Sequence, residues 1–201
     1  GPNVFYRNNG DGTFSNVTQE AGVESDLFGI GATFFDYDGD GYLDLYVGNY
    51  VTYDPEYKYY YPAEAFPGPL AYKGQPDILY RNRGDGTFED VTQKAGVYNP
   101  EGRAMGVTSC DIDNDGDVDI FVCNDAMENY MYQNNGDGTF TNVALLTGTG
   151  FGQNGEATSA MGPEFGDFNL DGLLDLLVPD MNYGCLYKNI GDGLYEEMSA
   201  Q

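Results

Sequence analysis

Two short motifs alternate along this chain, and their alternation restricts the fold more than any other feature of the sequence. The first is acidic: Asp36-Tyr37-Asp38-Gly39-Asp40-Gly41-Tyr42-Leu43-Asp44, with copies at 111–119 and 167–175. Each copy carries an oxygen-bearing side chain at positions 1, 3, 5 and 9 and a glycine at position 6. The second is a glycine turn between apolar or aromatic residues: Phe5-Tyr6-Arg7-Asn8-Asn9-Gly10-Asp11-Gly12-Thr13-Phe14, repeated at 79–88 and 131–140 and, in a worn form, at 186–195. Asn-Gly-Asp-Gly between two such runs predicts a β-hairpin, because Gly and Asn accept positive φ. A tight turn accounts for the Asp in it without a metal.

The acidic loops begin at 36, 111 and 167, and the turn glycines at 84, 136 and 191. A period of fifty-odd residues is in the range of propeller blades. Each repeat reads as four short strands: 31–35, 43–47, 78–81 and 87–92; then 106–110, 118–122, 130–133 and 139–143; then 162–166, 174–178, 185–188 and 194–198. The expected fold is all-β, with four-stranded antiparallel blades of β-propeller type. Three full blades span 28–102, 103–155 and 156–201, and 1–27 supplies the outer hairpin of a preceding blade. Closed propellers have about four to eight blades. The chain is therefore expected to be part of a longer propeller or one completed by other copies. An insertion at 51–77, rich in Tyr and Pro, reads as an ordered loop between the second and third strands of its blade, suited either to protein or sugar contact or to covering the propeller edge with its aromatics.

Composition narrows the partners. With 33 acidic and 8 basic residues the net charge is -25, which argues against nucleic acid and anionic membranes. Hydrophobic residues make up 41% and aromatics 15%, enough for a folded core rather than a disordered acidic chain. No stretch is apolar for the length of a membrane span, so no membrane insertion is expected. Histidine is absent, which removes the commonest general base and transition-metal ligand. Cys110, Cys123 and Cys185 are odd in number and read as buried free thiols.

Oxygen ligands without Cys or His point to calcium rather than zinc, and a loop of this size suits calcium better than magnesium. Three Ca2+ sites are expected. The first uses Asp36, Asp38, Asp40, Asp44 and the carbonyl of Tyr42. The second uses Asp111, Asp113, Asp115, Asp119 and Asp117 at position 7. The third uses Asp167, Asn169, Asp171, Asp175 and the carbonyl of Leu173, and its Asn predicts weaker binding. Two carboxylates 4 Å apart repel by about 1 kcal/mol in water and about 4 at an effective dielectric of 20, so four converging acids call for a cation. An EF-hand is excluded: position 12 is Val47, Val122 or Val178 instead of Glu, and the flanks are strand-like.

The loops, the Asn-Gly-Asp-Gly-Thr-Phe turns and Phe28-Gly29-Ile30-Gly31-Ala32 together resemble the FG-GAP/VCBS repeat family. Pro67-Gly68-Pro69-Leu70-Ala71-Tyr72, followed by Gly74-Gln75-Pro76-Asp77-Ile78-Leu79-Tyr80-Arg81-Asn82, resembles its cartilage-acidic-protein/UnbV-like branch. The resemblance implies a β-propeller like the integrin α head, usually of seven blades, with calcium between the first two strands of a blade. It also implies an extracellular or cell-surface role in adhesion, matrix or assembly, mostly without catalysis. The expected function is a secreted, calcium-binding structural or adhesion module and not an enzyme. Its partner is expected to be a protein, a glycan or copies of itself, including a filament or tube. The alternatives are a carbohydrate-binding propeller and a propeller hydrolase or lyase; no catalytic constellation stands outside the metal loops. Asn16-Val17-Thr18 is a glycosylation sequon, in keeping with secretion.

Overall fold

The computed structural model describes residues 2–54, 56, 67–181 and 184–199. A first hairpin pairs β1 (Tyr6–Asn8) with β2 (Phe14–Asn16) across the first glycine turn. The first full blade contains β3 (Gly29–Phe35) and β4 (Asp44–Asn49), a side ribbon of β5 (Val51–Thr52) and β6 (Lys73–Gly74), then β7 (Ile78–Asn82) and β8 (Phe88–Asp90). Its sheet order is β3-β4-β7-β8. The second blade contains β9 (Ala104–Cys110), β10 (Asp119–Met127), β11 (Tyr130–Asn134) and β12 (Phe140–Asn142), and β13 (Thr158–Ser159) is added along the far end of β10. The third is the meander of β14 (Glu164–Gly166), β15 (Asp175–Val178), β16 (Cys185–Gly191) and β17 (Leu194–Glu197). All these pairings are antiparallel.

The core consists of layers between blades. Successive side chains of a strand point to opposite faces, so β4 sends Tyr46 toward the second blade and Leu45 and Val47 toward the first hairpin. Similarly β10 sends Ile120 and Val122 back to the first blade, and Phe121 and Cys123 forward to the third. A strand buried on both sides reads as a continuous apolar run, which is why Leu45-Tyr46-Val47 and Ile120-Phe121-Val122-Cys123 lack polar alternation. The innermost strands approach too closely for side chains. A Cβ on Gly106 would lie 2.6 Å from the backbone nitrogen of Gly162, and one on Gly31 3.3 Å from that of Val107. All three cysteines are free; Cys123 and Cys185 are buried as expected, and Cys110 is only half-buried.

Two features depart from the strand-only expectation. One-turn helices α1 (Thr18–Ala21) and α2 (Ala144–Thr147) follow β2 and β12. Each ends at a left-handed glycine, Gly22 or Gly148, and tucks a buried alanine against the neighbouring strands. In addition, β10 runs on to Met127 because β13 supplies partners for its far half.

In a meander the first-to-second and third-to-fourth connections share one end of the blade. The acidic loops and glycine turns therefore lie together, and the insertion emerges at the opposite end. There a polar clip closes the first and second sheets. Asn49 donates its backbone N–H to buried Asp77 at 2.7 Å, and Asp77 also accepts from the Tyr46 hydroxyl and Asn99 Nδ2. Burial pushes Asp77 up to about 6. In the second blade Asn124 donates to Asn129 in the same way, at 2.9 Å. The far stem of the insertion is held by Arg103, which donates to the carbonyls of Pro69 and Tyr72. Tyr50, beside the near stem, donates its hydroxyl to Asp125 at 2.6 Å, tying the first blade to the second. Most of the insertion's tyrosines, at 57 and 59–61, lie outside the described residues.

Candidate metal loops

The three acidic loops share one backbone. Position 1 accepts two N–H groups from positions 5 and 6: Asp36 from Asp40 and Gly41, Asp111 from Asp115 and Gly116, and Asp167 from Asp171 and Gly172, at 2.9–3.2 Å. Position 5 accepts the N–H of position 7 in every copy. Positions 4 and 6 have positive φ, which Gly39 and Gly41 tolerate freely and Asn114 tolerates well. Leu170, at position 4 of the third loop, is held at φ 62 with its side chain exposed.

Position 9 is the buried anchor. Asp44, Asp119 and Asp175 are at most 1% exposed. One carboxylate oxygen of each accepts the N–H of position 2, from Tyr37, Ile112 or Phe168. The other accepts the N–H of Asn82, Asn134 or Asn189 on the third strand, at 2.7–2.8 Å. The same asparagine turns its side-chain amide onto the carbonyl of position 8: Leu43, Val118 or Leu174. These asparagines were not singled out from the sequence. Their signal was present, since every glycine-turn motif carries Asn at that place.

Carboxylate oxygens of Asp36, Asp38 and Asp40 lie within 4.8 Å of one another, as do those of Asp111, Asp113 and Asp119. Among the described residues the third loop forms no such group of three, in keeping with Asn169 at position 3. In the first two loops the position 7 side chain leaves the loop: a Cβ on Gly84 would lie 2.7 Å from Tyr42 Cζ, and one on Gly136 2.9 Å from Asp117 Oδ2. Residues at this position could therefore serve through the main chain, while the Asp117 carboxylate covers the neighbouring turn.

A hard cation fits this donor set. All side-chain donors are oxygen, and Asp38 Oδ1 is a buried carboxylate oxygen without a hydrogen-bond partner. Burial pushes the Asp44 carboxyl up to about 6 and Asp119 up to about 7, with the neighbouring loop acids adding to the rise. Opposing positive charge is scant. In the first loop, Arg81 Nε lies 2.6 Å from Asp38 and Nη2 3.1 Å from Asp40. In the glycine turns, Asp11, Asp85 and Asp137 each accept from a Thr backbone N–H and hydroxyl two residues on, so the turn occupies them.

Stacked four-stranded blades with an acidic loop between the first two strands define a repeat β-propeller. A family model described as an FG-GAP-like repeat matches residues 1–47, 70–122 and 111–178, and the chain belongs to that family. It is 29% identical over 181 residues to mouse cartilage acidic protein 1, a match covering 88% of this chain and 25% of that protein. A 49-residue stretch, 24% of the chain and 7% of the relative, is 47% identical to the human protein of the same name. The chain thus spans about a quarter of the length of the mouse relative. Among solved structures it is similar to one described as "Structural basis of specific recognition of non-reducing terminal N-acetylglucosamine by an Agrocybe aegerita lection", with TM-score 0.50 and 23% identity, covering 96% of this chain and 44% of that one. At that identity the likeness supports the propeller fold alone.

Proposed function

We propose that this chain is a calcium-braced, non-catalytic binding module of an extracellular or cell-surface protein. The observation that carries the proposal is the convergence of acidic oxygens in the first and second loops, at the end of each blade where the first hairpin turns. Calcium held by Asp36, Asp38, Asp40 and Asp44, by Asp111, Asp113, Asp115 and Asp119, and by Asp167, Asn169, Asp171 and Asp175 would neutralise charge that burial makes costly. It would also lock the loop against the third strand through the position 9 anchor. At ten times its dissociation constant each ion would contribute about 1.4 kcal/mol. Extracellular modules of this kind work near about 10⁻⁴–10⁻³ M calcium. The experiment is thermal unfolding in 5 mM calcium and in chelator. A rise in Tm of several degrees with calcium supports the reading, and an unchanged Tm contradicts it.

The partner surface proposed is the opposite end of the blades, where the stems of the aromatic insertion are fixed by Arg103 and by Tyr53 against Tyr72, ring centroids 5.5 Å apart. A protein partner is the first reading. A glycan is the second, the class of ligand that the description of the similarly folded lectin names for that protein. A glycan array against pull-down on extracellular proteins separates them. Turnover of polysaccharide would instead require a hydrolase or lyase. Exposed apolar residues at the two ends of the stack, such as Phe14 and Phe34 at one and Leu177 at the other, suit a further blade. Light scattering tests whether a second copy provides it.

A further inference from the structure

The three loops are held identically, and one neighbouring position breaks the equivalence. Asn82, Asn134 and Asn189 clasp the position 9 anchors alike. The residue before each, on the same strand, is Arg81, Gln133 or Lys188. That side chain crosses to the loop. Arg81 bridges Asp38 and Asp40, ligand positions 3 and 5, at 2.6 and 3.1 Å. Gln133 Nε2 donates to Asp113, position 3, at 2.5 Å. Lys188 Nζ stands 3.8 Å from Asp171, position 5. The first loop thus sets four carboxylates against a guanidinium, the second sets four, with Asp117 turned away, against a neutral amide, and the third sets three against an ammonium.

We infer that Arg81 is a built-in countercation, which keeps the first loop folded at low calcium and makes it bind the ion more weakly than the second loop. The inference rests on the calcium reading of the loops. A guanidinium and a calcium ion draw on the same two carboxylates, those of Asp38 and Asp40. While Arg81 stays in place, the ion meets a loop with one less net negative charge. One unit charge a few ångströms away in a partly exposed site changes affinity by roughly tenfold. Gln133 satisfies one oxygen of Asp113 and adds no charge, so the second loop keeps its full acidic field for the ion. The third loop has both fewer carboxylates and a cation. The order of affinity is second, first, third.

A bracing role makes the opposite prediction: if Arg81 merely held Asp38 and Asp40 in place for the ion, removing it would weaken binding. The test is calcium titration by calorimetry, with Tm measured in chelator, on the wild type, Arg81→Gln, Arg81→Lys and Gln133→Arg. The expected results are a roughly tenfold tighter site and a lower chelator Tm for Arg81→Gln, and near wild-type values for Arg81→Lys. For Gln133→Arg, the tightest site should weaken about tenfold and the chelator Tm should rise. Weaker or unchanged binding in Arg81→Gln overturns the inference while leaving calcium binding intact. A wild type that takes up no calcium overturns the calcium reading and this inference with it. Gln133→Arg adds a charge without removing a ligand, so it remains informative if Arg81→Gln fails to fold in chelator.

Discussion

In the first blade the far end of the sheet is clipped by the carboxylate of Asp77, and the loop is crossed by the guanidinium of Arg81. In the second blade the same two places hold Asn129 and Gln133. Part of the frame around them is matched, since Asn49 and Asn124 each donate Nδ2 to a backbone carbonyl at 2.8 Å, whereas Asp77 accepts from Tyr46 and Asn99 and Asn129 donates to Thr149 and Thr158. The repeat's frame therefore depends on position 9 carboxylates, third-strand asparagines, glycine turns and apolar alternation. Charge at the remaining sites is free to differ from blade to blade, and that difference would set how each blade responds to calcium and to pH.

The largest expected effect tests the shared frame. Asp44→Ala and Asp119→Ala each leave two backbone N–H groups without an acceptor, all of them buried except that of Asn82, which is half-buried. Each should cost roughly 3 kcal/mol or more in urea unfolding carried out in chelator. Costs that differ by several kcal/mol between the two would break the equivalence of the blades.

Next comes the contrast between Asp77 and Asn129. Burial raises the folded-state pKa of Asp77 from 3.8 to about 6, so the folded chain binds its proton more tightly than the unfolded chain does. Stability from this group is thus full below about pH 4, falls as pH rises toward 6 and is lost above it, a span of about 3 kcal/mol. Asp77→Asn should remove that slope from a series of urea midpoints between pH 4 and 8. Asn129→Asp should add one of the same sign. Tyr50→Phe, which removes the hydroxyl bond from the first blade to Asp125 of the second, should cost about 1.5–2 kcal/mol in urea unfolding. The smallest effect extends the comparison to the third blade. Leu170 occupies the left-handed position that Gly39 fills in the first loop. Leu170→Gly should stabilise by about 1 kcal/mol in the same assay, since a side chain there costs about 1–2 kcal/mol and glycine's greater unfolded-state entropy returns part of it.

The blades were legible because their signals are short-range and repeated. Asp-x-Asp-x-Asp-Gly fixes a loop, Asn-Gly-Asp-Gly fixes a hairpin, and the apolar runs between them can only be strands. Most strand ends fell within two or three residues of the expected ones. What the sequence did not yield depends on contacts between distant residues. Asp77 is acidic in an apolar neighbourhood, and nothing nearby in the chain announces that it clips Asn49, 28 residues before it, or that Asn99 completes its shell. Arg81 reads as a solvent-facing strand residue until the β4–β7 register brings it beside the loop. The one-turn helices were missed because four residues carry no helical period, and each is held by packing one alanine and one threonine. The acidic clusters divide the same way. The ligand candidates were readable one by one, but the closeness of Asp36, Asp38 and Asp40, and of Asp111, Asp113 and Asp119, required the fold.

The most direct test is an anomalous difference map from crystals of this chain grown with calcium and then exchanged for a lanthanide. Three peaks should appear, one in each acidic loop, with oxygens of positions 1, 3 and 5 at about 2.3–2.6 Å from the calcium. The second loop should fill first as the metal concentration rises, and the third last. A map without peaks in the loops, from crystals in which the chain is folded as described here, would contradict the calcium-braced blade.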